Sequence, residues 1–119
     1  MTRLRQNLID LMLIPGLSGH EQRVAAAIRA RLPAQLPTRT DRLGNLIATI
    51  PGDPAAPSVM LFTHMDQLGF IVRKVEANGL IRLERLGGVP ERALASQAVL
   101  ICTRGGDLAG VIANKSHHA

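Results

Sequence analysis

The chain has 119 residues, of which 46% are hydrophobic and only 2% aromatic, and its formal net charge is +5. This length allows one small folded domain, while no apolar run is long enough to predict a membrane span. The arginines are scattered from Arg3 to Arg104, without the clustering or the stacking aromatic residues of a nucleic-acid interface, so no nucleic-acid partner is expected.

The first predicted element is a helix near the amino terminus. Thr2 is a suitable cap, and Pro15 with Gly16 would end the helix. The apolar residues between them follow a helical spacing, which predicts one buried stripe formed by Leu4, Leu8, Leu11 and Met12.

A second helix is predicted to begin at a capping box. In this motif Ser18 would bond to the first-turn amides while Glu21 reaches back toward the start of the helix. The helix would run to about Leu32, with Val24, Ala27 and Ile28 also on its inner face. His20, in the first turn, is expected to be a solvated residue rather than a ligand.

Strand signals follow the second helix. Residues 38–41 could be extended, 43–45 form a predicted turn, and 46–50 are rich in strand formers. After a proline-rich loop, the apolar run 59–63 is predicted to be a buried strand. Two helices followed by strands indicate the opening of an α/β sandwich.

The pattern changes after Asp66 and becomes typical of β structure. Strands are predicted at 69–75 and 80–86 around an Asn-Gly turn, then at 98–103 and 110–113 with a turn at 104–107. We therefore expect two parts, 1–66 and 67–119, the second a small curled β domain.

Cysteine use indicates the compartment. Cys102 is the only cysteine, so no internal disulfide can form, and its apolar neighbours predict a small buried side chain. The amino terminus lacks the continuous apolar core of a secretion signal. Together these features favour a cytoplasmic protein.

The most informative residues lie where the apolar run ends, at His64 and Asp66. In open α/β sheets, ligands bind just beyond the carboxyl ends of the strands. A histidine there can offer a neutral ring nitrogen to a divalent metal, and a nearby carboxylate can orient the ring. The plainer interpretation is a strand end with one surface histidine and one turn aspartate.

A catalytic metal site normally needs at least three protein ligands. The other histidines are His20, His117 and His118, and the last two are adjacent, so at most one of that pair could join His64 if they lie on a strand. Ser18 and Ser96 lack the strand-turn-helix context of a nucleophile elbow. The residues alone therefore predict half of a metal site.

Five short motifs occur in order along the chain: PGLSGHE at 15–21, DRLGNLIA at 41–48, THMDQLGF at 63–70, LGG at 86–88 and GVIA at 110–113. In this ordered set the chain resembles the dinuclear-metal aminopeptidases that include glutamyl aminopeptidase, deblocking aminopeptidase and the cellulase-M-like peptidases. The resemblance covers nearly all of the sequence. It implies the start of a metallopeptidase α/β sandwich at 1–66, then part of an inserted, barrel-like oligomerisation domain at 67–119.

The resemblance also implies roles for the site. His64 would be a metal ligand and Asp66 the catalytic carboxylate that supports it, in a site where two Zn²⁺ or Co²⁺ ions activate a water against a peptide bond. Gln67 departs from the family pattern, because relatives usually carry an acid there. Peptide substrates and a homo-oligomer are implied in the same way, while no role transfers to His117 or His118.

Three hypotheses follow. The chain is the first part of a metal-dependent aminopeptidase, inactive by itself because the remaining metal ligands and the general base lie outside it. Alternatively, it is a binding or assembly module that has lost the chemistry. A third hypothesis keeps the metal-dependent hydrolysis but makes the substrate an acylated amino acid, as in a deacylase.

Overall fold

The computed structural model describes residues 2–113. Its elements in chain order are α1 Arg3–Met12, α2 Gln22–Arg29, β1 Thr38–Thr40, β2 Leu46–Ala48, β3 Gly69–Val75, β4 Ile81–Leu86, a 3-10 turn at Glu91–Ala93, β5 Ala98–Thr103 and β6 Gly106–Val111. The chain divides into two compact units, with the boundary between Gln67 and Leu68. Within 2–113, neither α-helix is long and apolar enough to cross a membrane.

The first helix forms where the sequence predicts it. The Thr2 hydroxyl accepts the N–H of Arg5, as expected of a cap, and the helix ends at Met12, before Pro15. The predicted buried stripe is wrong, because Leu4 and Leu8 are exposed, as is Met12. Helical spacing identifies a shared face, but burial requires a partner to cover that face.

The second helix carries the core of the first unit. Among the described residues, the buried hydrophobic side chains are Val24 and Ala25. Gly16 packs directly against α2, since a Cβ atom there would lie 2.6 Å from Val24 Cγ2. The helix ends at Arg29, one turn before the predicted Leu32, and α1 and α2 pack on each other.

Strands β1 and β2 form an antiparallel hairpin whose turn is organised by Asp41. Its Oδ1 accepts the N–H groups of Leu43 and Asn45, both at 2.9 Å, and its Oδ2 accepts the Asn45 side-chain amide at 2.8 Å. These bonds, led by the Asn45 side chain, lower the pKa of Asp41. Gly44 provides the positive φ of 89° that the turn needs, which confirms the predicted turn.

The predicted buried strand at 59–63 is wrong. These residues form no strand, and the side chains of Val59, Met60, Leu61 and Phe62 are between 84% and 93% exposed. The reason is the lack of a neighbour: no other segment within 2–113 pairs with this run. An apolar strand is buried only when other strands supply its hydrogen bonds and cover its faces.

The second unit consists of two antiparallel hairpins, β3–β4 and β5–β6. The first forms as predicted, with the Asn78 side chain accepting the Leu80 N–H at 3.1 Å and Gly79 at a φ of 86°. In the second, β5 matches the prediction, but β6 begins at Gly106, so the predicted turn at 104–107 is two residues too long. The predicted final strand at 110–113 is displaced accordingly.

Cys102 is exposed, so its predicted burial is wrong. Along β5 the half-buried residues are Val99 and Ile101, and successive side chains of a strand lie on opposite faces. Cys102 therefore falls on the other face. The structure confirms an α/β composition of two helices and several short antiparallel strands.

Candidate metal centre

The segment that carries His64 and Asp66 is joined to the loop that follows α1. The backbone N–H of Gln67 donates to the carbonyl oxygen of Gly16 at 2.7 Å, and Leu17 forms a parallel bridge with Gln67. All these residues belong to the first unit. The backbone beside the candidate site is therefore held even though the preceding residues, 59–63, have no strand partner in the part of the chain that the structure describes.

The side chain of Gln67 adds two further bonds to the same loop. Its amide donates to the carbonyl oxygen of Met12 at 3.0 Å and to that of Ile14 at 3.1 Å, at the carboxyl end of α1. The last carbonyl groups of a helix lack internal partners, so an N–H donor suits this position. An ionised acid, the residue type that the resemblance leads us to expect, could not donate these bonds.

His64 and Asp66 lie in direct contact. His64 Nδ1 is 2.9 Å from Asp66 Oδ1 and 3.2 Å from the Asp66 backbone oxygen. An ionised Asp66 can only accept, so His64 Nδ1 is the donor in this contact, and in a neutral ring the lone pair is then on Nε2. The His64 side chain is 83% exposed, so this second nitrogen is accessible to a ligand.

Ser18 also belongs to this cluster. Its hydroxyl donates to Asp66 Oδ2 at 2.5 Å. The predicted capping box is wrong for Ser18, because α2 begins only at Gln22 and has no side-chain cap. Glu21 does reach back, accepting the Gly19 N–H at 2.8 Å. A tight turn between Leu17 and His20 separates Ser18 from the helix and turns its hydroxyl toward Asp66.

These contacts determine the charge on Asp66. The Ser18 hydroxyl is the largest cause of a lowered Asp66 pKa, followed by the hydrogen bond from His64. Both donors stabilise the ionised carboxylate, which at neutral pH acts only as an acceptor. The ionised form is the one that holds the His64 ring with its proton on Nδ1.

The cluster by itself is not a complete metal site. No group of three or more His, Cys, Asp or Glu side chains suited to a metal occurs within residues 2–113. His20 is exposed, as expected of a solvated residue. His117 and His118 lie outside the described residues. Of the residues predicted for the site, the structure therefore brings together His64 and Asp66.

Sequence reasoning missed two residues that support this pair, Ser18 and Gln67. Ser18 is 48 positions from Asp66 along the chain, and its local pattern indicates a helix cap. For Gln67 the sequence indicates only a departure from the family pattern. No local signal predicts either contact, because both depend on the return of the chain to the loop after α1.

A family profile and individual protein sequences point to the same family of aminopeptidases. The profile of the M42 glutamyl aminopeptidase family matches residues 44–119. The SgcX protein of Escherichia coli strain K12 is 37% identical over 117 residues, which cover 97% of this chain and 31% of that protein. Lysyl aminopeptidase of Pyrococcus furiosus is 32% identical over 100 residues, covering 82% of this chain and 28% of the enzyme.

One solved structure is similar to nearly all of this chain. The TET1 peptidase of Pyrococcus horikoshii, which can assemble into a tetrahedron or a large octahedral shell, matches with a TM-score of 0.84 and 28% identity. The match covers 94% of this chain and 33% of that one. The chain thus spans about a third of the length of the proteins that it matches.

Proposed function

The chain belongs to the M42 glutamyl aminopeptidase family, and from this membership we propose that it contributes a metal-binding segment to an aminopeptidase. The proposed reaction is the metal-dependent hydrolysis of the first peptide bond of a peptide substrate. The observation that carries the proposal is the contact of His64 Nδ1 with Asp66, which leaves His64 Nε2 accessible to a metal.

The His64 ring, held by Asp66, is suited to be one ligand of such a metal. A metal-bound histidine usually donates its other ring N–H to a carboxylate, which fixes the tautomer and makes the ring a better ligand. His64 would hold the metal through Nε2, and Asp66 would orient the ring by accepting its Nδ1–H. When bound, two divalent ions, Zn²⁺ or Co²⁺, would supply Lewis acidity and an activated water.

The two parts of the sequence have different roles in this proposal. Residues 1–66 would form the first part of the catalytic α/β domain, and residues 67–119 part of an inserted, barrel-like oligomerisation domain. The hairpins β3–β4 and β5–β6 supply antiparallel strands suited to such a domain. The assembly of the TET1 peptidase supports a homo-oligomer, and the single cysteine supports a cytoplasmic location.

The test is peptide hydrolysis by the native polypeptide that carries this sequence, purified from its own cells and supplied with Zn²⁺ or Co²⁺. Its intact mass is measured on the same sample. We expect amino acids to be released one at a time from a peptide with a free α-amine, and not from the same peptide after acetylation. Preferential turnover of acylated amino acids would identify a deacylase instead. A folded protein without either activity would support the assembly module and reject the proposal.

The ligand assignment is tested with a matched pair of histidine variants. His64→Ala should remove metal from the site and lower peptide turnover by about a hundredfold or more. Because the side chain is exposed, the free energy of unfolding of the metal-free protein should change by less than about 0.5 kcal/mol. His20→Ala, in the same unit and also exposed, should leave metal content and turnover unchanged. Full metal occupancy and normal turnover in His64→Ala would contradict the assignment.

A further inference from the structure

Asp66 makes one side-chain hydrogen bond with each of its two carboxylate oxygens. Oδ1 contacts His64 Nδ1 at 2.9 Å, and Oδ2 accepts the Ser18 hydroxyl at 2.5 Å. A single hydrogen bond would leave the carboxylate able to rotate, because the terminal torsion of aspartate has broad minima. Two bonds to opposite oxygens restrict that rotation. Ser18 therefore contributes to the orientation of the carboxylate that His64 contacts.

Ser18 can restrict Asp66 only if its own position is fixed. The residues on either side are both held: Leu17 bridges to Gln67 and accepts the His20 N–H at 2.7 Å, while the Gly19 N–H donates to Glu21. Gly19 takes a positive φ of 81°, which closes the turn around Ser18. The hydroxyl is thus presented from a constrained turn rather than from a mobile loop.

The orientation of the His64 ring depends on the same carboxylate. Its side chain is 83% exposed, and within residues 2–113 its ring bonds are those to the Asp66 carboxylate and to the Asp66 backbone oxygen. No packing contact is needed to explain its position. Loss of the defined carboxylate orientation should therefore let the ring exchange its proton between Nδ1 and Nε2.

We propose that Ser18 is a positioning residue for the metal ligand and acts through Asp66. By donating to Oδ2, Ser18 turns Oδ1 toward His64, so that the ring keeps its proton on Nδ1 and presents the Nε2 lone pair. This inference rests on the proposed function, since an Nε2 lone pair matters only if the ring binds a metal. The effect of Ser18 on the Asp66 carboxylate and on the His64 tautomer requires only residues of this chain.

The experiment measures the tautomer of His64 in the metal-free chain labelled with ¹⁵N at histidine. Magic-angle-spinning NMR of sedimented protein at about pH 8.5, well above the ordinary histidine pKa, gives the ratio of the Nδ1–H to the Nε2–H form. The four histidines are distinguished with His64→Gln. In Ser18→Ala we expect this ratio to fall by about twofold or more, which corresponds to the lower end of the coupling found between neighbouring residues.

Matched variants separate the hydroxyl from other effects. Ser18→Thr keeps a hydroxyl and should retain the parental ratio, as should Ser58→Ala, which removes an exposed serine elsewhere in the unit. A parental ratio in Ser18→Ala would overturn the proposal. If Ser18→Ala does not fold, Ser18→Cys gives the same comparison, because a thiol of similar shape is a weak donor. A parental ratio there would overturn the proposal equally.

Failure of this inference is distinguishable from failure of the proposed function. The tautomer ratio is read without metal and without peptide hydrolysis. A ratio that responds to Ser18 in a chain whose native polypeptide hydrolyses no peptide would reject the aminopeptidase and retain the positioning of His64. An active enzyme with an unresponsive ratio would reject only the role of Ser18.

Discussion

Two apolar runs of similar composition have different structures in this chain. The run at 98–103 forms β5, pairs along its length with β6 and half-buries Val99 and Ile101. The run at 59–62 forms no strand and exposes every side chain by more than four-fifths. Apolar, strand-forming composition therefore does not determine burial by itself. The position of the partner strand along the chain makes the difference.

The partner of β5 is separated from it by a two-residue turn, Arg104 and Gly105. Thr103 stabilises this turn, because its hydroxyl accepts the Gly105 N–H and donates to the Gly106 carbonyl oxygen. A short hairpin of this kind costs little loop entropy. The run at 59–62 is followed directly by the His64–Asp66 segment, and within residues 2–113 no turn returns a strand to it. It needs a partner from a distant part of a polypeptide or from another molecule.

The largest expected effect concerns the exposed run. Leu61→Lys combined with Phe62→Lys should convert self-associated chains into monomers, because an exposed apolar run with strand-forming composition promotes association with other chains. Burial of each side chain is worth about 1.5–3 kcal/mol, so self-association should weaken by about a hundredfold or more. Sedimentation velocity of the parent and variant chains over a range of concentrations measures this change.

The control for this variant lies in the second region. Leu108→Lys changes a side chain of β6 that is 58% exposed and already belongs to a paired strand, so association should change far less. A parent chain that is a stable, sharply melting monomer in dilute solution would contradict the prediction. The comparison between the two runs would then lose its physical basis.

The next effect tests whether a hairpin depends on its own local geometry. Gly87, directly after β4, has a φ of 90°, and an added Cβ would collide with the Leu68 side chain. Gly87→Ala should destabilise the β3–β4 hairpin by about 1–2 kcal/mol, because an L-residue is strained at this φ. Urea unfolding followed through the amide resonances of β3 gives the value. Gly88→Ala is the matched control, since nothing lies within 4 Å of the added Cβ. Equal losses in the two variants would exclude the backbone explanation.

The same contrast explains how much of the structure could be predicted from the sequence. The β3–β4 hairpin and strand β5 were predicted well because Asn78, Gly79 and the alternating residues are neighbours along the chain. The sequence does not predict that residues 59–62 and the apolar stripe of α1 are exposed, because burial depends on which surfaces meet in the folded structure. At the site, His64 and Asp66 are predictable from the sequence because they lie only two positions apart, at the end of one apolar run. The local pattern around Ser18 predicts a helix cap instead, since the contact with Asp66 spans 48 positions and leaves no local signal.

A smaller effect concerns the pH dependence of the β3–β4 hairpin. The Lys74 and Arg82 side chains hold the pKa of Glu76 below its ordinary value of 4.5. A lowered pKa in the folded state stabilises the hairpin above pH 4.5, and this contribution is lost as the pH falls through the folded-state value. The β3–β4 population, followed by NMR between about pH 6 and pH 3, should decline at the acid end. Glu76→Gln should flatten this decline. An unchanged profile in that variant would assign the pH dependence to other carboxylates.

The smallest expected effect concerns the ion pair between Arg73 and Glu84. Arg73 Nη1 lies 2.7 Å from Glu84 Oε2, but the two side chains are 66% and 54% exposed, so water screens the attraction. A double-mutant cycle with Arg73→Ala and Glu84→Gln should give a coupling energy below about 0.5 kcal/mol in urea unfolding of the hairpin. A coupling above about 1.5 kcal/mol would require the pair to be shielded from water by another surface. The hairpin would then resemble the run at 59–62 in depending on a partner, and the contrast between local and distant pairing would no longer hold.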